Sequence, residues 1–212
     1  MPTRGRGEWA RLAVECFLAQ DYPAKELIIL DDADDPSFPE DFGANSPFLY
    51  NRIPERLAIP EKRNRINALA GGELIAHWDS DDWSAPTRLS HQVALLGAKA
   101  LTGFNTLLFY EPSTGSVARY IGKREYACGT SMLYRKSFWS KHPFRRQKFP
   151  RNLDYGSDNV FGNDAREAKQ LVACDGGRLM VARVHPGNTN DTRMYKMNEQ
   201  LTVADLPEGF PR

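Results

Sequence analysis

Gly71-Gly72-Glu73-Leu74-Ile75-Ala76-His77-Trp78-Asp79-Ser80-Asp81-Asp82-Trp83 is the stretch that decides how the chain reads. The paired glycines supply the backbone freedom that ends a helix. Leu74, Ile75, Ala76 and Trp78 then form a short buried strand by pattern. Asp79, Asp81 and Asp82 must lie where that strand ends, because a sheet interior does not accommodate three carboxylates. Acids at the C-terminal edge of a strand in an α/β protein lie where ligands bind. Asp79 and Asp81 are two residues apart, so an extended backbone points both the same way. Like charges held so close repel unless a divalent cation or a proton lies between them. Mg²⁺ or Mn²⁺ would suit, since hard cations take oxygen ligands and share them with substrate phosphates. The plainer alternative is a cap-and-turn cluster ahead of the helix that starts near Pro86.

Outward from this stretch, the spacing of Trp9, Leu12, Ala13, Cys16 and Phe17 predicts an amphipathic helix over residues 8–20. Residues 26–30 follow as a buried strand that also ends in acids, Asp31 and Asp32. Helix, strand and terminal acids make half of a βαβ unit whose first strand is truncated. A loop over 33–51, a short strand within 50–59 and a helix over 60–70 complete the N-terminal half. Beyond the acids, Ser84 is the expected N-cap of a helix carrying Leu89, Val93 and Leu96, with Pro86 in its first turn. Strands are expected over 104–110, 116–121, 131–134 and 178–184. Residues 136–141 and 158–170 read as helices. Residues 144–151 form a basic, aromatic loop, and a polar tail begins at His185. Alternating strands and helices with few hairpin signals imply an α/β protein with a mostly parallel sheet flanked by helices.

The composition fits one folded domain: 212 residues, 41% hydrophobic and 11% aromatic. A net charge of +1 excludes a general nucleic-acid binder. Cys16, Cys128 and Cys174 are odd in number and form no C-x-x-C pair, which points to reduced thiols in a cytoplasmic protein. No leader is visible. The apolar run over 93–110 is broken by Lys99, Asn105 and two glycines, too often for a membrane span. Peripheral membrane contact stays open.

Several stretches together resemble the family 2 glycosyltransferases, which have the GT-A fold. Phe17-Leu18-Ala19-Gln20-Asp21-Tyr22-Pro23 resembles that family's opening helix and turn, and residues 26–32 its second strand with the acidic pair. Lys62-Arg63-Asn64 through Asp79-Ser80-Asp81-Asp82-Trp83 is similar to its most recognisable segment. Residues 128–136 resemble its acceptor-side strand. Gly156-Ser157-Asp158 stands where the family carries a Glu-Asp pair, and Arg183-Val184-His185-Pro186-Gly187-Asn188 resembles a late R-x-H-x-x-N. The resemblance covers residues 1–192, a single GT-A-like, Rossmann-like domain, leaving 193–212 as the polar C-terminal tail.

This resemblance implies a nucleotide-sugar donor, UDP-sugar foremost, a Mn²⁺ or Mg²⁺ ion, a saccharide or other hydroxyl acceptor, and inversion at the sugar carbon. It implies Asp81 as direct metal ligand and His185 as a second one. Asp79 would bind the ribose, or the metal through water. Asp31 or Asp32 would accept hydrogen bonds from the base, with Thr3 nearby. Arg63 would face phosphate or a base edge, where its planar fork is suited. Asp158 would be the base that deprotonates the acceptor hydroxyl, and Asp154 is the nearest other carboxylate. One nucleotide across both acidic strand ends implies that strands 26–30 and 73–78 lie side by side in one sheet.

Each role has a structural rival. Asp32 would end a strand in a turn, Arg63 would lie on a solvated helix face, Asp158 would cap a helix, and His185 would be an ordinary core or surface histidine. Two other functions compete: a sugar-1-phosphate nucleotidyltransferase, faintly echoed by Arg4-Gly5-Arg6-Gly7, and a non-catalytic nucleotide-sugar-binding module.

Overall fold

The structure is a computed structural model, and it describes residues 1–39, 42, 48–145, 157–188 and 197–211. Two sheets organise it. The smaller joins β1 (Pro2–Thr3), β2 (Leu27–Asp31) and β3 (Phe48–Arg52), all parallel and in that order. Strand β1 has two residues. All five β2 residues are buried, as a continuous apolar run requires in a covered parallel sheet.

The larger sheet is mixed. Its spine is β6 (Leu101–Glu111). The first residues of β6 pair with antiparallel β8 (Leu133–Arg135) and parallel β9 (Leu171–Asp175). Its last residues pair with antiparallel β7 (Ser116–Ile121) and parallel β10 (Met180–Arg183). Beyond β8 lies β4 (Leu74–Ala76), and beyond β10 lies β5 (Trp83–Ser84). Thus the acid cluster bridges two strands of one sheet, anchored at both ends.

This arrangement corrects three expectations. Strands β2 and β4 belong to different sheets, because β2 pairs only with β1 and β3 among the described residues, while β4 pairs with β8. Ser84 is not an N-cap: it pairs with Met180 in β5, and α3 (Arg88–Leu96) starts after Thr87. The expected polar tail contributes β11 (Glu199–Leu201), antiparallel to β7, and buries Leu206 and Phe210 beside Trp83 and Leu108. Apolar residues spaced through a polar stretch hid that strand from a periodicity reading.

Three helices set the site. In α1 (Gly7–Leu18), Ala10, Ala13, Val14 and Phe17 make one buried stripe at helical spacing. Trp78, two residues past β4, lies under that stripe and donates from Nε1 to the Ala13 carbonyl at 2.8 Å. In α2 (Ile59–Leu69), Pro60 opens the helix and Glu61 accepts from the Ala58 amide at 3.2 Å. The buried face of α2 carries Lys62, Arg63 and Asn67 besides Ile66, an unusual choice for a core-facing helix. Beyond α4 (Lys136–Lys141), helix α5 (Ser157–Glu167) brings Asp158 into its first turn. None of the described helices is long and apolar enough to cross a membrane.

Candidate functional site

A cavity of about 780 Å³ opens where these elements meet. That volume suits a nucleotide-sized ligand. Strand β1 and the loop after it line the cavity with Thr3, Arg4 and Arg6; α2 with Lys62 and Arg63; the acid cluster with Asp79, Ser80, Asp81 and Asp82. The segment after Cys128 adds Gly129 and Thr130, α5 adds Asp158, the end of β10 adds Arg183 and the chain beyond it Asn188.

In the structure the acids gather basic side chains and buried donors. Asp81 is nearly fully buried, and its Oδ2 accepts from Arg6, from His185 Nε2 at 3.0 Å and from Asn188 Nδ2 at 3.3 Å. Arg6 is held in place by a second bond to the Gly187 carbonyl at 2.7 Å. Asp79 lies 3.5 Å from Arg63, whose other nitrogen is paired with Asp158. Burial, the largest single influence on Asp79, opposes its ionisation, but Arg63 and the smaller contributions of His77, Thr130 and Arg6 together outweigh it, and the carboxyl titrates below its usual range. Asp82 goes the other way: burial, then Asp81 and Asp79, push it up to about 8, which favours its protonated form at neutral pH. Thr130 Oγ1 and the Arg183 amide bond its two oxygens. Buried Arg88 donates to the His77 carbonyl at 2.8 Å and lies over the Trp78 ring, fixing the backbone that leads into the acids.

Of the residues singled out by sequence, Thr3, Arg63, Asp79, Asp81 and Asp158 share this cavity wall, and His185 touches Asp81. Asp31 and Asp32 do not line it. Asp31 is fully buried and its oxygens accept from the Ala33 and Ser37 amides and the Tyr50 hydroxyl. Asp32 accepts from Lys62 and from the Leu57 amide at 2.9 Å. Both carboxylates accept from loop and helix donors, as acids at a strand end commonly do. Lys62 nonetheless ties Asp32 to the cavity wall, and its neighbour Arg63 ties Asp79, so the two acidic strand ends meet through α2. Arg63 is buried, not on a solvated face. Asp154 and most of the basic loop, residues 146–151, lie outside the described residues.

Arg6, Lys62 and Asn188 were missed as site residues. Lys62 and Asn188 stand inside stretches already quoted, and Arg6 lies in the Arg4-Gly5-Arg6-Gly7 segment. Gly5 has φ +58°, so the glycine itself is what lets this loop turn back over the acids. His77 was also passed over. Its Nδ1 donates to the Gly129 carbonyl at 2.6 Å. Burial, and then Arg63, hold its pKa well below the usual value. The unfolded chain therefore takes up a proton below pH 6.5 that the folded chain refuses, and stability is lost as pH falls. Between pH 7.5 and 5.5 the wild type is expected to lose about 1.4 kcal/mol more than His77→Asn in urea denaturation. Equal losses would mean that His77 is protonated in the fold.

The glycosyl transferase family 2 model matches residues 1–163. No protein of curated function matches the chain in sequence. Among solved structures, S. aureus TarS aligns with a TM-score of 0.65 at 17% identity, over 87% of this chain and 36% of that one. TarS residues 1–349 in complex with UDP-GlcNAc align with a TM-score of 0.65 at 18% identity, over 89% and 58%. The mannosyltransferase PcManGT from Pyrobaculum calidifontis, in complex with GDP-Man and Mn²⁺, aligns with a TM-score of 0.60 at 14% identity, over 86% and 55%. The chain thus spans between about a third and three fifths of the length of these structures.

Proposed function

Because the chain belongs to glycosyl transferase family 2, we propose that it transfers a sugar with inversion from a nucleotide diphosphate donor, a UDP-sugar foremost, to an acceptor hydroxyl. The observation that carries this reading is the single cavity wall on which Arg63, Asp79, Asp81 and Asp158 converge from separate parts of the chain. Arg4, Arg6, Arg56, Lys62, Arg63 and Arg183 also line the cavity, a cationic excess over its four aspartates that suits an anionic diphosphate. The three cysteines are free, in keeping with a reducing, cytoplasmic setting.

A divalent cation fits Asp81, whose carboxylate already gathers a guanidinium in this structure. No group of three or more His, Cys, Asp or Glu side chains is set around it among the described residues, so phosphates and water would complete the shell. His185 fits less well. The Gly187 amide donates to its Nδ1 at 3.1 Å, which puts the proton on Nε2 and makes His185 a donor to Asp81. Ligation through Nε2 would need that amide to withdraw. When bound, the cation neutralises the leaving diphosphate as a Lewis acid. Arg63 orients donor charge beside Asp79, and Asp158 takes the acceptor proton.

Arg6 competes with a cation for Asp81. Arg6→Gln is therefore expected to raise the affinity of the nucleotide-free protein for Mn²⁺ by about tenfold, the equivalent of about 1.4 kcal/mol. Electron paramagnetic resonance titration of free Mn²⁺ reads this directly, and an unchanged affinity would remove Arg6 from competition.

The reading as a whole is tested by thermal shift with UDP-, GDP-, CMP- and dTDP-sugars in Mn²⁺. A true donor at 100 times its Kd stabilises by about 2.7 kcal/mol. No shift from any of them would reject it. A donor that binds but is never consumed would favour the non-catalytic module.

A further inference from the structure

We propose that Gly129 and His77 form the seat that positions the Asp158 carboxylate, an inference that rests on Asp158 as the base in the function proposed above. Gly129 opens a 3-10 turn, Gly129–Ser131, directly after Cys128. A Cβ built on Gly129 would lie 2.7 Å from both Cβ and Cγ of Asp158. Real Cβ atoms do not approach other atoms so closely, so the carboxylate rests against bare backbone. Gly129 has no positive φ, so conformational freedom is not what places glycine here. The close approach of Asp158 is.

The seat is rigid. The Cys128 amide donates to the Phe104 carbonyl at 2.8 Å, and Ser131 Oγ donates to the Cys128 carbonyl at 2.7 Å. The Phe104 amide donates to Ser131 Oγ at 2.8 Å. The Gly129 carbonyl itself accepts from His77 Nδ1 at 2.6 Å. A carbonyl only accepts, so Nδ1 carries the proton. The His77 ring packs edge-on against Tyr134 and beside Phe144, 5.4 Å and 5.3 Å between centroids. His77 stands two residues before Asp79, so the strand that delivers the acid cluster also sets the peptide under Asp158. Arg63 pairs with Asp158 Oδ1 from another direction. His77 does not line the cavity; its role is positioning, through Gly129.

The geometry makes separable demands. Gly129→Ala inserts a methyl group where the carboxylate lies. His77→Leu removes the bond to the Gly129 carbonyl, and His77→Asn restores a donor near the position of Nδ1. A displacement of about 1 Å at a reacting group costs up to about 100-fold in rate. UDP release from UDP-GlcNAc in Mn²⁺ is the activity probe, with donor titration alongside. Gly129→Ala and His77→Leu are expected to lower kcat by about 10–100-fold with donor Kd within about twofold, and His77→Asn to recover most of it. Placed in an Asp158→Asn background, neither Gly129→Ala nor His77→Leu should lower the rate further, because both act through that carboxylate. A crystal structure of Gly129→Ala should show Asp158 Cγ moved by about 1 Å or more.

Full activity in Gly129→Ala and His77→Leu, or additive losses in the Asp158→Asn background, would overturn the inference while leaving the base assignment intact. Asp158→Asn indistinguishable from wild type would instead overturn the base assignment. An unmoved Asp158 in the Gly129→Ala crystal would overturn the seat whatever the rates.

Discussion

Asp158→Asn is expected to slow sugar transfer by about 10²–10⁴-fold while donor affinity hardly changes. Asn keeps the size of the side chain and one oxygen for Arg63 but has no basic oxygen. The missing interaction is made only in the transition state, so the loss falls on kcat. Stability also responds, and more than helix capping alone implies. Asp158 lies inside the first turn of α5 and pairs with the buried Arg63, so removing its charge should cost about 1–2 kcal/mol. A transfer assay, a donor titration and urea denaturation on the same preparation separate these effects. Near-normal transfer by the variant would pass the role of base to Asp154 or to no residue of this chain.

Asp81→Ala is expected to abolish the Mn²⁺-dependent part of donor binding. Loss of a group that merely orients a metal ligand costs about 10–100-fold in metal affinity, and loss of the ligand itself exceeds that. Calorimetric titration with UDP should therefore show a Mn²⁺-dependent gain for wild type and none for the variant, with equal affinities in chelator. The fold survives, but at a cost, because Asp81 is not a strained acid whose removal brings relief. Its Oδ2 accepts from Arg6, His185 and Asn188, and leaving these donors unpaired should destabilise by about 1–3 kcal/mol. A variant with intact Mn²⁺-dependent binding would leave Asp81 as a structural hub for those donors alone.

The site was legible where its signal is local. Asp79 and Asp81 are read from strand polarity and spacing, and Arg63 and His185 from stretches that resemble one family. Asp31 and Asp32 were legible as a strand end, but the donors they accept from were not. Which amides claim their oxygens depends on the loops after β2 and β3 folding back, and no spacing reports that. His77 was invisible because one histidine beside a tryptophan in a buried strand carries no pattern; its meaning lies in the Gly129 carbonyl, 52 positions away. Strand β11 was missed because a three-residue edge strand in a polar stretch has too few side chains to show alternation.

By itself the sequence determined the α/β class, the stripe on α1, the buried strand β2 and the acids that close β4, since each follows from side-chain periodicity within a dozen residues. Only the tertiary structure decided which charge meets which. Arg6 reaches Asp81 across 75 positions, Arg63 reaches Asp158 across 95 and His185 reaches Asp81 across 104. Those pairings depend on β4 and β5 entering one mixed sheet and on α2 turning a polar face inward. They follow from packing between elements, because a charge chooses its partner by proximity and desolvation, and neither is a property of neighbours along the chain.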